Sequence, residues 1–327
     1  MTKLPDRRHF LHLAAGTVAL PAVSRIARAQ GYPTRPVRIM VGFAPGGGTD
    51  IMARLLGHWL SERLGQSFIV ENRPGAATNI ATEVVVNAPA DGYTLLEASL
   101  PNASNAALYP DLKFNFLSDI TPIAGATREA FLIEVNPTLP VHTVPEFIDY
   151  ARANPGKLNM ASAGIGSGNH LFGELFKIET GIELVHVKYR GAGPALVDLM
   201  AGQAQVMFAS VSSSIEFVKT GKLRALAVTT TTRLPRLPDL PTIAEFVPGY
   251  ETSFWQGIAA PKGTPSEIVD KLNREVNTAL ADPKIKAQLD ELGVVAIPGS
   301  PADFGKLIAN ETERWGKVIR AAGIKAE

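Results

Sequence analysis

Two periodicities alternate along this chain, and their order sets the expected fold. Short apolar runs at 37–43, 68–71, 94–98, Phe131–Val135, 158–161, 184–187, 205–208 and 223–228 read as strands. Stretches of helical period lie between them. Over 50–64, Ile51, Leu55 and Trp59 form one apolar stripe with Met52, Leu56 and Leu60 beside it. Arg54, His58, Ser61 and Glu62 share the opposite face, as a helix lying on a sheet requires. Thr143 ahead of Val144-Pro145 caps a helix running to Asn154, and helices over 265–280 and Pro301–Ala322 open the same way after Thr264 and Ser300. Such alternation predicts parallel sheets with helices on both faces.

This many strands sit more comfortably in two sheets than in one. No low-complexity linker divides the chain, so a boundary must run through ordered segments. Two long extended stretches, 123–136 and 250–261, are the candidate crossings. The expected architecture is therefore α/β, with two doubly wound lobes joined by a two-segment hinge. The first lobe is discontinuous, 30–127 plus 255–327, and the second is 128–254, with a cleft between them.

Each lobe then contains one glycine-rich turn that leads from a strand into a helix. The first is VGFAPGGGTDIMARLL at 41–56; the second is LNMASAGIGSGNHLFGELF at 158–176, with Leu171, Phe172, Leu175 and Phe176 facing inward. Ligands of open α/β sheets bind at the carboxyl ends of strands, where both turns fall. Glycine lets backbone N–H groups approach a ligand, and helix starts favour an anion. Neither turn is a phosphate loop, because no Gly-Lys-Ser/Thr follows, and Gly46-Gly47-Gly48-Thr49-Asp50-Ile51 lacks dinucleotide spacing. Asp50 would repel a polyphosphate and reads as a cap or first-turn acid. A small carboxylate held by main-chain donors fits better. Charge-assisted hydrogen bonds of roughly 1.5–3 kcal/mol each bring a few such contacts, less ordering costs, to about micromolar affinity.

Composition removes other classes. The chain has 327 residues, 46% of them hydrophobic, with a net charge of +1 and no cysteine. That excludes thiolate chemistry and disulfides, and a neutral chain without a basic run is no nucleic-acid binder. Outside the N-terminal segment the histidines are His58, His142, His170 and His186, with no pair at zinc-ligand spacing, so neither metal nor cofactor is expected. Residues 1–29 carry Arg7-Arg8-His9-Phe10-Leu11, an apolar stretch to Ala22 and Ala27-Arg28-Ala29. This is the order of an export signal of twin-arginine type, cleaved near Ala29. A freely diffusing periplasmic protein is expected.

The chain resembles the tripartite tricarboxylate transporter receptors, or Bug proteins. The matching pieces are Tyr32-Pro33, Arg35-Pro36-Val37, Gly46-Gly47 with Asp50 and Ala53-Arg54, Glu71-Asn72-Arg73-Pro74-Gly75-Ala76 and Ala90-Asp91-Gly92-Tyr93-Thr94-Leu95. Ser162-Ala163-Gly164, Gly166-Ser167, His170-Leu171, Tyr189-Arg190-Gly191, Pro194-Ala195, Gly202-Gln203 and 221–227 complete the series. The resemblance implies a type II periplasmic binding fold, closing on a small carboxylate and handing it to an integral membrane permease, as a monomer. It places the carboxylate grip at Phe43, Gly46, Gly47, Gly48, Thr49, Ala163, Gly164, Gly166 and Ser167. It places the distal end among Asn102, Asn105, Arg128, Arg190 and 209–213, with Ser210 the leading serine there. Ala209 stands where some relatives carry a carboxylate, and the loss of that charge favours a more acidic or less amine-bearing ligand.

A rival class is an exported serine hydrolase using Ser167 and His170. Against it, Gly164-Ile165-Gly166-Ser167-Gly168 sets the serine one place late for a nucleophile elbow. A regulatory effector lobe would need a DNA-binding helix pair, and the export signal opposes that reading.

Overall fold

The computed structural model describes residues 31–326, so the export signal expected at 1–29 lies outside the described residues. The chain forms β1 (Val37–Val41), α1 (Gly48–Leu64), β2 (Phe68–Asn72), α2 (Asn79–Val86), β3 (Thr94–Ser99), α3 (Leu100–Leu108), α4 (Phe116–Asp119), β4 (Ile120–Glu129) and β5 (Phe131–Val135). It continues through α5 (Val144–Ala153), β6 (Asn159–Ser162), α6 (Gly168–Thr180), β7 (Val185–Lys188), α7 (Ala192–Met200), β8 (Val206–Ser210), α8 (Val211–Lys219) and β9 (Arg224–Val228). The last elements are β10 (Phe254–Pro261), α9 (Ser266–Ala281), α10 (Pro283–Leu292), β11 (Val294–Ala296) and α11 (Pro301–Ala322).

The strands make two sheets, ordered β11-β4-β10-β3-β1-β2 and β7-β6-β8-β5-β9, and the molecule has two α/β lobes. The chain changes sheets at Ala130, between β4 and β5, and returns over the segment from β9 to β10.

The sheets are mixed, not parallel as the alternation predicts. β1 pairs in parallel with β2 and β3, and β6 with β7 and β8. β10 runs antiparallel to β3 and β4, β11 to β4, and β5 to β8 and β9. The reason is geometric. The parallel strands end at the cleft, with Gln256 opposite Ser99 and Phe131 opposite Ser210. β5 and β10, arriving from the other lobe, enter at that same end and must run away from it.

The two connections are bonded side by side. Phe131 N donates to Thr229 Oγ1 at 2.9 Å, Thr229 N to the Phe131 carbonyl at 2.9 Å, and Thr229 Oγ1 to the Thr252 carbonyl at 3.0 Å. Behind them, α11 reaches across: Trp315, fully buried, packs 5.5 Å from the ring of Phe172 on α6. One hydrophobic core runs through this region, including Leu96 and Phe304 from the first lobe and Phe176 and Phe208 from the second.

Local signals explain the helix starts. Ser300 and Asp303 form a reciprocal cap on α11, with Pro301 in its first turn, and Thr143 Oγ1 accepts from Glu146 N at 3.3 Å. Thr264 departs from its expected capping role. Its hydroxyl turns back to the Pro261 carbonyl at 2.8 Å, and α9 begins at Ser266.

Candidate functional site

The N-termini of α1, α6, α7 and α8 converge on one cavity between the lobes. Gly47, Gly48 and Thr49 line it from α1, Ser167, Gly168 and Asn169 from α6, Ala192 from α7 and Ser210 from the start of α8. Phe43, Phe131, Phe254 and Ala163 supply apolar walls, and Glu129 closes the hinge side. First-turn amides have no acceptor within their own helix, and the dipoles of these helices add positive potential at the same place. An anion is what such a cavity favours. The cavity is narrow, about 30 Å³, close to the room that a single water needs.

Not every glycine expected to grip a ligand has an amide to offer. Gly46 N donates to Asp50 Oδ2 at 3.1 Å, Gly164 N to Ser162 Oγ at 3.1 Å and Gly166 N to His170 Nδ1 at 3.1 Å. These bonds shape the turns and leave the following residues, Gly47 to Thr49 and Gly168 to Asn169, facing the cavity. Asp50 is a first-turn acid with a bracing role. Arg54 holds both its oxygens, at 2.9 and 3.0 Å, and Asn72 Nδ2 donates at 2.9 Å. Burial pushes its carboxyl up, but hydrogen bonds from Arg54, Asn72 and Gly46 outweigh that and hold it below the usual range.

The second turn rests on a histidine pair. His170 stacks on His186 with ring centroids 3.9 Å apart, and His186 Nε2 lies 2.6 Å from Ser162 Oγ. Burial first, then the charges of His186 and Lys177, push His170 down to about 3, so it stays a neutral acceptor for Gly166 N. Ser167 Oγ accepts from His170 N at 3.3 Å, an N-cap contact. The imidazole is committed to Gly166 and His186 rather than to the serine hydroxyl, so the pair lacks the nucleophile–base hydrogen bond of a hydrolase.

Of the other expected residues, Gly164 and Arg190 line a separate outer chamber of about 540 Å³, reached past Phe43 and Ala163 and floored by 75–78. Asn102 lines neither space. It is buried, takes Ser99 N on Oδ1 at 2.8 Å and gives Nδ2 to Thr78 Oγ1 and Thr82 Oγ1 at 2.9 and 2.8 Å. Asn105 bonds the Ala77 carbonyl and Asn79 Oδ1, both at 2.6 Å. The two asparagines pin Ala76, Ala77 and Thr78, which all have positive φ (44°, 48° and 75°) without being glycine. Arg128 and Ala209 also fall outside the cavity lining.

Six residues of the lining were not anticipated from the sequence, Glu129, Phe131, Gly168, Asn169, Ala192 and Phe254, and Glu129 is the charged one among them. It is 1% exposed, and its Oε1 accepts from Ser212 N at 2.6 Å. Burial pushes it up to about 7 against the opposing hydrogen bonds from Ser212. A charged residue inside the apolar crossing stretch 123–136 was the available signal.

Comparison with known proteins decides the family. Residues 52–324 match the family model described as the tripartite tricarboxylate transporter family receptor. The chain belongs to that family. Protein BugT of Bordetella pertussis is 35% identical over 311 residues, covering 94% of this chain and 95% of its own. Among solved structures, R. palustris Rpa4515 with adipate superposes with a TM-score of 0.88 at 41% identity, covering 90% of this chain and all of its own. MatC (Rpa3494) from Rhodopseudomonas palustris with bound malate gives 0.84 at 33% identity, covering 88% of this chain and 100% of its own. The receptor therefore has the two-lobed α/β fold of periplasmic solute-binding proteins, as the sequence resemblance implied.

Proposed function

We propose that this receptor captures a small carboxylate between its lobes in the periplasm and delivers it to the integral membrane permease of a tripartite transporter. Dicarboxylates head the candidates, ahead of tricarboxylates and aromatic acids, because relatives of the same family were solved with adipate and with malate. The observation that carries the reading is the convergence of first-turn amides from both lobes on one cavity. The carboxylate is held by Gly47, Gly48 and Thr49 from one side and by Ser167 with its two successors from the other. Phe43 and Ala163 form the walls, and Ser210 stands at the hinge side. Gly164 and Arg190 act from the outer chamber. The lobes are 30–127 plus 255–327 and 128–254, bounds that fall within two residues of where the chain changes sheets, and the exported protein works as a monomer without metal or cofactor.

A thermal-shift panel of the exported chain tests this, with aliphatic dicarboxylates, tricarboxylates, amino acids and aromatic acids. A saturable rise in melting temperature with carboxylates is expected. Silence across the panel, with turnover of a test ester lost in Ser167→Ala, would replace the receptor reading with the hydrolase one.

A further inference from the structure

One acid faces the space where an anion is to be held. Glu129 ends β4, and its Oε1 is occupied by Ser212 N. Among the described residues its Oε2 has Gln256 Nε2 at a long 3.5 Å, and it lies 3.0 Å from where a side chain at Gly48 would begin. Oε2 therefore looks at the first turn of α1, whose amides point to the ligand.

The elements around it supply no counter-charge. On α1, Asp50 is turned to Arg54 and Asn72; α8 brings Ser210 and Ser212; α6 brings Ser167 and Asn169, with His170 stacked on His186. Val294 of β11 and Phe254 of β10 sit opposite Glu129 in the sheet, and Arg128 beside it leaves on the other face.

Behind Glu129 runs a buried polar row. Thr127 pairs with Gln256, Gln256 with Ser99, and Glu97 follows on the same face of β3. Among the described residues, Thr127 Oγ1, Gln256 Oε1 and both oxygens of Glu97 are buried without a hydrogen-bond partner, so the row has capacity for protons or ordered water. It lies on the α1 side of the sheet, where Leu95 and Ile258 pack with Met52 and Leu56.

Two ionised carboxylates in one dry cavity repel; a protonated carboxyl instead donates to the ligand's oxygen. We propose that Glu129 is a ligand-facing acid, and that capture of a carboxylate at this cleft takes up one proton onto its side chain. The inference rests on the carboxylate-receptor reading. Burial already brings Glu129 to about 7, so the proton is available near neutrality.

Calorimetric titration of the exported chain with adipate and with malate, in buffers of differing ionisation heat, counts the protons. From pH 7 to 9 both probes are fully ionised. The wild type is expected to take up close to one proton at pH 8.5, its affinity falling about tenfold per pH unit above 7.5. In Glu129→Gln, whose amide donates at every pH, the slope and the proton uptake disappear. Adipate or malate binding without proton uptake in the wild type would overturn the proposal while leaving the receptor reading intact. If Glu129→Gln then also lost affinity for malate but not for adipate, the side chain would be an ionised acceptor for the malate hydroxyl. Silence toward both probes and the rest of the carboxylate panel would remove both readings together.

Discussion

The backbone amide of Ala44 donates to the carbonyl of Arg190 at 3.0 Å, joining the first glycine turn directly to the opposite lobe. The contact is main chain on main chain, and the glycines that follow allow it. A Cβ on Gly193 would meet the Pro45 carbonyl oxygen at 2.6 Å, and one on Gly191 would meet Ala44 N at 2.8 Å.

Gly193→Ala therefore separates closure from folding. Within α7 the change favours the helix by about 1 kcal/mol, yet the new methyl group wedges the lobes apart at a backbone oxygen. Overpacking of this kind costs roughly 1–3 kcal/mol, or about 5- to 150-fold in affinity. Carboxylate titration and small-angle scattering check it: weaker binding and a larger radius of gyration are expected, with no fall in melting temperature. Undiminished affinity would mean that this contact is not part of the bound state.

The neighbouring glycines of the first turn should differ. A Cβ at Gly47 meets Ala192 Cβ at 3.4 Å, an ordinary contact, whereas one at Gly48 falls 2.6 Å from Ser212 Oγ and 3.0 Å from Glu129 Oε2. Gly47→Ala should keep carboxylate affinity within about threefold, since its methyl group needs under 1 kcal/mol of adjustment. Gly48→Val should reduce it below detection while the far-ultraviolet circular dichroism stays native. The reverse ranking would relocate the ligand.

Asn102 is a structural residue. Asn102→Ala strands Ser99 N and the Thr78 hydroxyl in the interior, leaves Thr82 Oγ1 with only its bond to the Thr78 carbonyl, and releases the left-handed run at 76–78. A loss of about 1–3 kcal/mol in chemical denaturation is expected, with a smaller effect on ligand affinity. Lost binding at unchanged stability would instead make Asn102 a ligand contact.

Glu134 on β5 is fully buried, and burial pushes its carboxyl up to about 8; nearby Ser214 gives its hydroxyl to the Ser210 carbonyl. The native state binds this proton more tightly than the unfolded chain, so its contribution is intact below about 4.5 and is lost as pH rises through about 8. Glu134→Gln should accordingly raise the melting temperature at pH 8.5 and change it little at pH 4.5. Equal effects at both would show that the group does not titrate in this window.

Much of the fold was legible because its signals are local. Eight of the strands and the α1, α5 and α11 helices follow from period and caps, and both glycine turns precede helices as read; β4 and β10 lie in stretches read as crossings, and the short β11 carries no such signal. The antiparallel insertion of β5 and β10 was not legible, since direction depends on where a crossing chain enters. At the site, the turns at 47–49 and Ser167 could be read because helix starts announce themselves. Glu129 offered a weaker signal, a charge inside a crossing stretch, because the cavity it faces is completed by Ser210 and Ser212 of the other lobe. That Asn102 lies off the cavity lining was not legible for a related reason: the left-handed run at Ala76, Ala77 and Thr78, which takes up its side chain, is built without glycine.

A crystal structure with adipate or malate would be decisive. One carboxylate is expected between the lobes, its oxygens about 2.7–3.1 Å from first-turn amides of α1 and α6 and one of them beside Glu129. A ligand seated in the outer chamber, touching amides of one lobe only, would contradict the shared grip.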